Sequence, residues 1–454
     1  IMSRGLGDVY KRQPSSVTSR RRFIGASAAV TVASTLPLDR TVHAAGTDEI
    51  RVALVGCGGR GTGAAVHALE NSSGARVKLV ALADAFRHRL DTAYRVLKKR
   101  RPDQVDVPEE RRFVGLDAYQ KAIDCDIDLV LLCTPPGFRP AQFEAAVHAG
   151  RHVFMEKPVA TDAPGVRRVM AANEEAKQKQ LVVAVGHHLR HEVKHREMID
   201  RIDDGAIGDV QFLRAYFNSS GVWVNPREAG ETEMQHQVRN WYYFTWLSGD
   251  HIVEQHVHDL DVCNWVMKGP PVEARGAGGR QVRIGSQYGE IFDHHSVEFT
   301  YPSGVKMFSY CRHIRNCWNS FSQHIHGDRG SVSIEGHGPA ELSVSGSQVV
   351  KIERGPDGHQ VEHDRLFAAL IEGRPYNEAD YSAASTMTAI LGRMATYSGQ
   401  IVTYQDGLNS GLDLSPESMS WDAAPHATPG DDGMYACALP GQTKVLSIDV
   451  GSTS

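Results

Sequence analysis

The sequence has 454 residues, of which 41% are hydrophobic and 23% charged, and its formal net charge is −5. That length suits two or three domains, and the composition excludes a disordered or fibrous chain. No basic stripe extends beyond the first residues, so we expect no nucleic acid partner.

The first residues follow the order of an export signal. Ser19–Ile24 reads SRRRFI, a twin-arginine motif, and the apolar run Ile24–Leu36 and a small-residue cleavage site at Ala44 come after it. We therefore expect a signal peptide over residues 14–44, preceded by a non-native extension over residues 1–13. The protein is predicted to be periplasmic or otherwise exported by the twin-arginine machinery; a merely basic tail is the alternative. No other apolar stretch approaches transmembrane length, so we expect no stable membrane anchor.

A dinucleotide site is predicted directly after the signal. Ile50–Val55 is an apolar, β-branched run, and a helical pattern extends from the following glycines to about Glu70. A strand, G-x-G-x-x-G and a helix in this order form a tight turn that directs helix N–H groups at a pyrophosphate. The alternative is a glycine-rich loop that only packs. The predicted cofactor-binding residues here are Gly56, Gly58, Gly59, Arg60 and Gly61.

A carboxylate ends the second predicted strand. Val77–Ala83 runs into Asp84, near the usual spacing for an acceptor of the ribose hydroxyls. Asp84 favours NAD, because a carboxylate repels the 2′-phosphate of NADP. Arg87 is close enough in sequence to leave NADP open.

Two further buried strands, Ile127–Cys133 and His152–Met155, end in polar residues. Ligands in parallel sheets bind at the carboxyl ends of the strands. We therefore predict a Rossmann NAD(P)-binding domain over residues 45–180, with further cofactor contacts from Thr134, Pro135, Glu156 and Lys157.

The motifs found so far recur in a known order. They are GCGGRG (56–61), Asp84, CTPP (133–136) and EKP (156–158), and a later helix-like stretch reads GDHIVEQHVHDLD (249–261). Together they resemble the Gfo/Idh/MocA family of oxidoreductases, over roughly residues 50–405.

The resemblance implies an α/β fold. The N-terminal Rossmann domain would be followed, over residues 181–408, by an α/β domain with a large, open, mostly antiparallel sheet. It also implies a homo-oligomer, either a dimer or a tetramer. Residues 409–454, which contain several prolines, are predicted to form an extended arm that wraps a neighbour or its own domain. The sequence agrees with the implied antiparallel sheet, because alternating strand patterns occur in this domain. They lie at Val210–Phe217, Ser296–Tyr301, Val305–Cys311, Gln323–Gly327, Val332–Glu335 and Gln348–Ile352.

The resemblance also implies the catalytic residues. Lys157, the lysine of EKP, would be the acid/base beside the nicotinamide, and Glu156 would fix the loop or the cofactor. His258 would bond the reacting hydroxyl, and Glu254 stands where the family usually has aspartate. Glu254 and His258 are four residues apart, so we expect them on one face of one helix. The longer glutamate departs from the family pattern, which puts ordinary dehydrogenase activity in doubt.

Residues that suit a sugar occur in two other places. His187 and Arg190 follow a predicted strand that ends near the cofactor, and Arg239, Trp241 and Tyr243 combine planar donors with aromatic faces. We predict that these five residues line the substrate pocket. The alternatives are ordinary loop polar residues and an aromatic core patch.

Two histidine groups have the spacing of metal ligands. His191–His195 satisfies H-E-x-x-H, but its charged flanks indicate a solvated helix face and no clear third ligand follows. His251, Glu254, His256 and His258 could hold zinc, but most members of the family need no metal. We predict no metal. The seven cysteines include no C-x-x-C pair and are expected to be mostly buried thiols.

These features predict an NAD(P)-dependent oxidoreductase that acts on a CH–OH group of a sugar, glycoside or polyol. Export in the folded state predicts a tightly bound cofactor and a redox-neutral cycle, because little free NAD is expected outside the cytoplasm. One alternative is an NAD-dependent glycosidase or lyase that oxidises its substrate transiently and then eliminates the aglycone. The other is a non-catalytic binder of nucleotides or sugars.

Overall fold

The computed structural model describes residues 49–447. The predicted extension (1–13) and signal peptide (14–44) lie outside the described residues. Among residues 49–447, no helix combines the length and the apolar character needed to cross a membrane.

The N-terminal domain is built on six parallel strands. They are β1 (Ile50–Val55), β2 (Val77–Asp84), β3 (Arg112–Val114), β4 (Leu129–Leu132), β5 (His152–Met155) and β6 (Val183–Val185). Their order in the sheet is β3-β2-β1-β4-β5-β6, so the direction of winding reverses between β1 and β4. The strands are almost continuously apolar because helices cover both faces of the sheet. The helices of this domain are α1 (Gly59–Leu69), α2 (Arg87–Arg100), α3 (Ala118–Ile123), α4 (Arg139–His148) and α5 (Ala163–Gln178).

The second domain carries a nine-stranded sheet. Its strands are β7 (Val210–Ser219), β8 (Glu273–Gly279), β9 (His294–Thr300), β10 (Lys306–His313), β11 (Ser320–Gly327), β12 (Gly330–Glu335), β13 (Ala340–Val344), β14 (Val350–Ile352) and β15 (Val402–Thr403). The order is β14-β13-β12-β11-β7-β10-β9-β8-β15, and every pair except β7–β10 is antiparallel. The predicted fold class is confirmed.

Helices cover one face of this sheet and join the two domains. They are α6 (Val193–Asp203), α7 (Glu233–Arg239), α8 (Thr245–Ser248), α9 (His251–Glu254), α10 (Val257–Val266), α11 (Gly358–Glu372), α12 (Ala379–Ser398) and α13 (Tyr404–Leu408). The buried helix α12 packs between α5 and the large sheet, and α11 packs on α1. Short 3-10 helices lie at Glu109–Arg111, Pro136–Phe138, His188–His191, Trp241–Tyr243 and Ser286–Tyr288.

The structure corrects three predictions about the fold. Strand β6 belongs to the six-stranded sheet, so the first domain extends beyond the predicted boundary at residue 180. The H-E-x-x-H segment is not a solvated face: Lys194 is fully buried, and its ammonium donates to the carbonyls of Glu335, Gly336 and Gly338. The single helix predicted over 249–261 is interrupted between α9 and α10.

The C-terminal arm lies against its own chain. Thr232 donates to the carbonyl of Trp421, Gln237 donates to that of Ala427, and Tyr435 packs on Phe244. Residues 409–447 contain no regular helix or strand, and these contacts hold them on α7 and α8. All seven cysteines are free thiols, and three of them are buried.

Candidate active site

A cavity of about 1290 Å³ lies between the two sheets. Its first wall is formed by residues at the carboxyl ends of β1, β2, β4, β5 and β6, where the winding reverses. Its second wall comes from the end of β7, the start of β11 and the turn after β12. This is the position at which open α/β sheets bind ligands.

The glycine loop is shaped for a close backbone approach. Gly56 has φ +94°, and a Cβ placed on it would lie 2.6 Å from the carbonyl carbon of Cys133. A Cβ on Gly61 would lie 1.8 Å from the Gly56 oxygen, whereas one on Gly59 would meet no atom within 4 Å. Helix α1 has no side-chain cap and no acidic residue in its first turn. The loop therefore presents open space and unpaired N–H groups, which suit a pyrophosphate.

Asp84 lies at the end of β2 and lines the cavity. Its carboxylate accepts hydrogen bonds from the amides of Cys57 (2.7 Å) and Phe86 (2.8 Å), while burial raises its pKa. Arg87, which left NADP open, turns instead to Asp91 and Glu109 in solvent. Arg89 rather than Arg87 lines the cavity, and its guanidinium lies 5.6 Å from the ring centre of Phe86.

Arg60 and Glu156 bind each other across the loop. The Arg60 guanidinium pairs with the buried Glu156 carboxylate and lies 3.4 Å from Glu362. Burial alone would raise the pKa of Glu156, but the Arg60 charge and hydrogen bond lower it to about 2. Arg60 lines the cavity as predicted, but its guanidinium contacts the carboxyl groups of Glu156 and Glu362. Both predicted residues thus stabilise the glycine loop through their ion pair.

Removing this arginine is expected to destabilise the protein in a pH-dependent way. Arg60→Met leaves Glu156 buried without its cation, which costs about 3 kcal/mol at neutral pH. The pKa of Glu156 is lower in the folded protein than its usual value of 4.5. The ionised Glu156 carboxylate therefore stabilises the fold fully above pH 4.5, and this contribution is lost as the pH falls toward about 2. Urea unfolding of both proteins across this range measures the difference. A constant difference would contradict this pairing. Arg87→Met, whose ion pairs lie in solvent, is the control and should change nothing measurable.

The three predicted catalytic residues meet at the cavity. The Lys157 ammonium donates to the backbone carbonyl of Glu254 (2.6 Å) and lies 3.1 Å from its carboxylate. His258 is buried, and burial together with the Lys157 charge lowers its pKa well below the usual value. Its imidazole is therefore neutral at neutral pH. The break between α9 and α10 does not separate Glu254 from His258, because both side chains line the same space.

Four of the five predicted substrate residues do not line the cavity. His187 is buried behind His258, and Arg190 makes two hydrogen bonds to Asp261 and stacks on Tyr381. Arg239 pairs with Glu231, and the buried Tyr243 donates to the carbonyl of Val222. The polar groups of Arg190, Arg239 and Tyr243 find their partners within the protein, which the sequence alone does not reveal. Neither ring nitrogen of the buried His187 has a hydrogen-bond partner among the described residues. Trp241 lines the cavity as predicted.

Other residues of the cavity were missed. His188 lies beside His258, with ring centres 4.7 Å apart, and stacks on His359 at 4.0 Å. Arg139 is buried and donates to the carbonyls of Thr134 and Pro158, so it holds together the segments that follow β4 and β5. Burial lowers its pKa to about 10. Adjacency to His187 was a signal for His188. The remaining polar and aromatic lining includes Asn218, Ser219, Trp223, Asn225, Asn319 and Ser320.

The four residues with the spacing of zinc ligands, His251, Glu254, His256 and His258, do not converge on one point. Glu254 pairs with Lys157, His256 bonds Asp259 and Ser309, and His251 bonds Asp250. A different group, Asp250 with His251 and His295, brings its ligand atoms within 4.8 Å of one another. The Asp250 carboxylate there also accepts hydrogen bonds from Tyr397 and the Phe292 amide. Hydrogen bonds from protein donors thus satisfy the buried Asp250 carboxylate.

A parallel sheet with this glycine loop, and a lysine and histidine facing the adjoining cavity, define a nicotinamide-dependent oxidoreductase. A model of an oxidoreductase family with an NAD-binding Rossmann fold matches residues 50–187, and the GFO/IDH/MocA C-terminal domain matches residues 195–333. The chain belongs to the Gfo/Idh/MocA family, as the motifs predicted.

Individual relatives agree with this assignment. The inositol 2-dehydrogenase of Rhizobium meliloti (strain 1021) is 26% identical over 298 residues, which cover 65% of this chain and 78% of that protein. The aldose-aldose oxidoreductase from Caulobacter crescentus, solved with glycerol, has a TM-score of 0.63 at 20% identity, covering 78% of this chain and 100% of that one. The scyllo-inositol dehydrogenase from Lactobacillus casei, solved with NAD(H) and scyllo-inositol, has a TM-score of 0.60 at 19% identity, covering 79% and 100%. The two solved structures establish the fold.

Proposed function

We propose that this protein oxidises a secondary alcohol of a sugar or sugar-like polyol by hydride transfer to NAD. The observation that carries this proposal is the meeting of Lys157 and His258 in the cavity that the glycine loop also lines. The names of the relatives, which include an inositol dehydrogenase and a 1,5-anhydro-D-fructose reductase, support this substrate class.

NAD, when bound, supplies the hydride acceptor, and side chains of the protein accept the hydroxyl proton. Lys157 directs two of its three donors at Glu254, which fixes the ammonium beside the reacting oxygen. His258 is neutral, so it can accept the hydroxyl proton directly or share it with Lys157. Thr134, Pro135 and Asp84 line the cofactor half of the cavity, where they orient the ring and ribose.

The proposal includes a cofactor that stays bound. A folded enzyme exported by the twin-arginine route meets little free NAD, so a hydride taken from one carbon has to be returned by the same enzyme. One such cycle oxidises one sugar and reduces another. The second oxidises a glycoside transiently, eliminates the aglycone and returns the hydride. Among the described residues, Oε2 of Glu254 has no hydrogen-bond partner, which favours the second cycle because elimination needs an additional acid or base.

Mass spectrometry of small molecules released on denaturation tests the proposal. We expect one equivalent of NAD(H) per chain, and NADH absorbance on adding D-glucose, D-galactose, myo-inositol or a disaccharide of these sugars. Free aglycone without accumulated NADH would identify the elimination cycle. A protein that holds no dinucleotide and binds none when it is added would contradict the proposal and leave a non-catalytic binder.

The proposed assembly is a homo-oligomer formed through the outer face of the nine-stranded sheet. Phe212 and Tyr310 are exposed there, and Tyr310 stacks on Tyr216 at 5.4 Å. An aromatic patch of this kind on a sheet is typical of an interface. Light scattering of the purified protein tests it, and a monomeric mass would exclude it.

The proposed location is outside the cytoplasm, and its support is the order of motif, apolar run and cleavage site in residues 14–44. The N-terminal residue of the protein recovered from its source cells tests this. A chain that retains Arg20–Arg22 would contradict cleavage at Ala44.

A further inference from the structure

Two tryptophans stand at the wall of the cavity that is formed by the second domain. Trp223 and Trp241 both line it, with ring centres 5.9 Å apart and planes inclined by 64°. Trp223 is 44% exposed, which is unusual for the largest apolar side chain. An exposed aromatic face that opens into a binding cavity is available to a ligand.

The segment that carries Trp223 is fixed rather than loose. The amide of Asn225 donates to the side chain of Asn240, and the Asn225 side chain donates to the carbonyl of Arg239. Arg239 in turn binds the carbonyl of Pro226 and the carboxylate of Glu231. These bonds fasten residues 222–231 to the end of α7, so the tryptophan faces are held ready before a ligand arrives.

The tryptophans line the same cavity as Lys157, Glu254 and His258. The buried ring of Tyr242 lies 6.3 Å from that of Trp223 and 5.5 Å from that of Trp241. Trp223 is 44% exposed, whereas His258 is 6% exposed and the side chains of Lys157 and Glu254 are each 10% exposed, so the tryptophan lies nearer to the mouth of the cavity than the catalytic residues. A ligand ring on the tryptophans would therefore sit beyond the ring that reacts.

We infer that Trp223 and Trp241 form an outer subsite for a second sugar ring, so that the substrate is a disaccharide or larger glycoside. The apolar C–H face of a pyranose packs on an aromatic ring, and the polar groups of Asn225 and Asn319 on the same cavity can bond its hydroxyls. The adenine of NAD is another flat group that could stack on the tryptophans. Its ribose is expected at Asp84, at the end of β2, which places adenine in the first domain and away from the wall that carries the tryptophans. The inference rests on the proposed function and specifies its substrate.

Calorimetric titration of the NAD-loaded protein tests the inference without requiring turnover. The probes are cellobiose, maltose and lactose, each compared with D-glucose and D-galactose. We expect the wild type to bind at least one disaccharide more tightly than its component sugars. Trp223→Ala should lower the ratio of disaccharide to monosaccharide affinity about tenfold, the size expected for a lost stacking contact. Trp223→Phe, which keeps an aromatic face, should restore most of it.

Three results would overturn the inference. The first is an unchanged ratio of disaccharide to monosaccharide affinity in Trp223→Ala, and the second is a wild type that binds no disaccharide more tightly than its component sugars. The third is a loss of NAD affinity in Trp223→Ala, which would assign the tryptophan to the cofactor. If monosaccharides are still oxidised with NADH formation in these cases, the proposed function stands and only the outer subsite is wrong. If no sugar binds at all, both fail.

Discussion

Lys157→Met is expected to lower kcat for sugar oxidation by about 10²- to 10⁴-fold, the usual contribution of a positioned acid or base. The variant removes the ammonium that donates to Glu254 and that the proposed mechanism places beside the reacting oxygen. His258 keeps its place on α10 but loses its partner in proton transfer. NAD affinity should change little, because the glycine loop and Asp84 are untouched.

Single-turnover NADH formation measures the effect, with NAD affinity and the thermal midpoint determined on the same samples. Lys121→Met is the matched control: this exposed lysine of α3 pairs with Asp117, neither residue lines the cavity, and its loss should leave kcat unchanged. Full turnover by Lys157→Met would remove Lys157 from the chemistry. Loss of NAD binding in that variant would make it a cofactor ligand only.

Gly61→Ala is expected to abolish NAD binding and destabilise the fold, whereas Gly58→Ala should abolish NAD binding alone. A Cβ on Gly61 would lie 1.8 Å from the Gly56 carbonyl oxygen, so α1 has to move away from β1. Overpacking of this kind costs at least about 1–3 kcal/mol. A Cβ on Gly58 would meet only the flexible end of Arg89, 3.8 Å away, and would occupy space that the pyrophosphate needs.

Urea unfolding without cofactor, together with NAD titration, separates the two effects. Gly74→Ala would be a poor control because Gly74 has φ +89°. Gly269→Ala is suitable, since Gly269 meets no neighbour and lies outside the cavity. Wild-type NAD affinity in Gly58→Ala would mean that the loop only packs.

The cofactor half of the molecule followed from local sequence. A strand is buried on both faces only if it is continuously apolar, and a tight turn into a helix requires glycine, so both features are visible in β1 and at Gly56 and Gly61. Strand β8 was not predicted, because its glycine-rich sequence lacks an apolar pattern. Gly276 and Gly278 lie against the carbonyls of Ser296 and His294, and this close approach replaces the usual alternation of apolar side chains.

The substrate half was predicted less well. Lys157, Glu254 and His258 were placed by the family motif, but the neighbouring choices failed where two polar residues were equally plausible. His188 rather than His187 lines the cavity, and Arg89 rather than Arg87. A single step along the chain turns a side chain to another face, and the sequence does not record which face meets the cavity.

By itself, the sequence determined the Rossmann domain and the dinucleotide loop, because each depends on contacts within short, patterned segments. The family resemblance added Lys157 as the candidate acid/base. Only the tertiary structure decided that Arg190 and Arg239 serve the scaffold, that the C-terminal arm covers its own chain, and that Trp223 joins Trp241 at the cavity. A buried charge or an exposed aromatic ring takes its role from a partner far away in the sequence. That partner is chosen when distant segments pack together, so no local pattern carries the information.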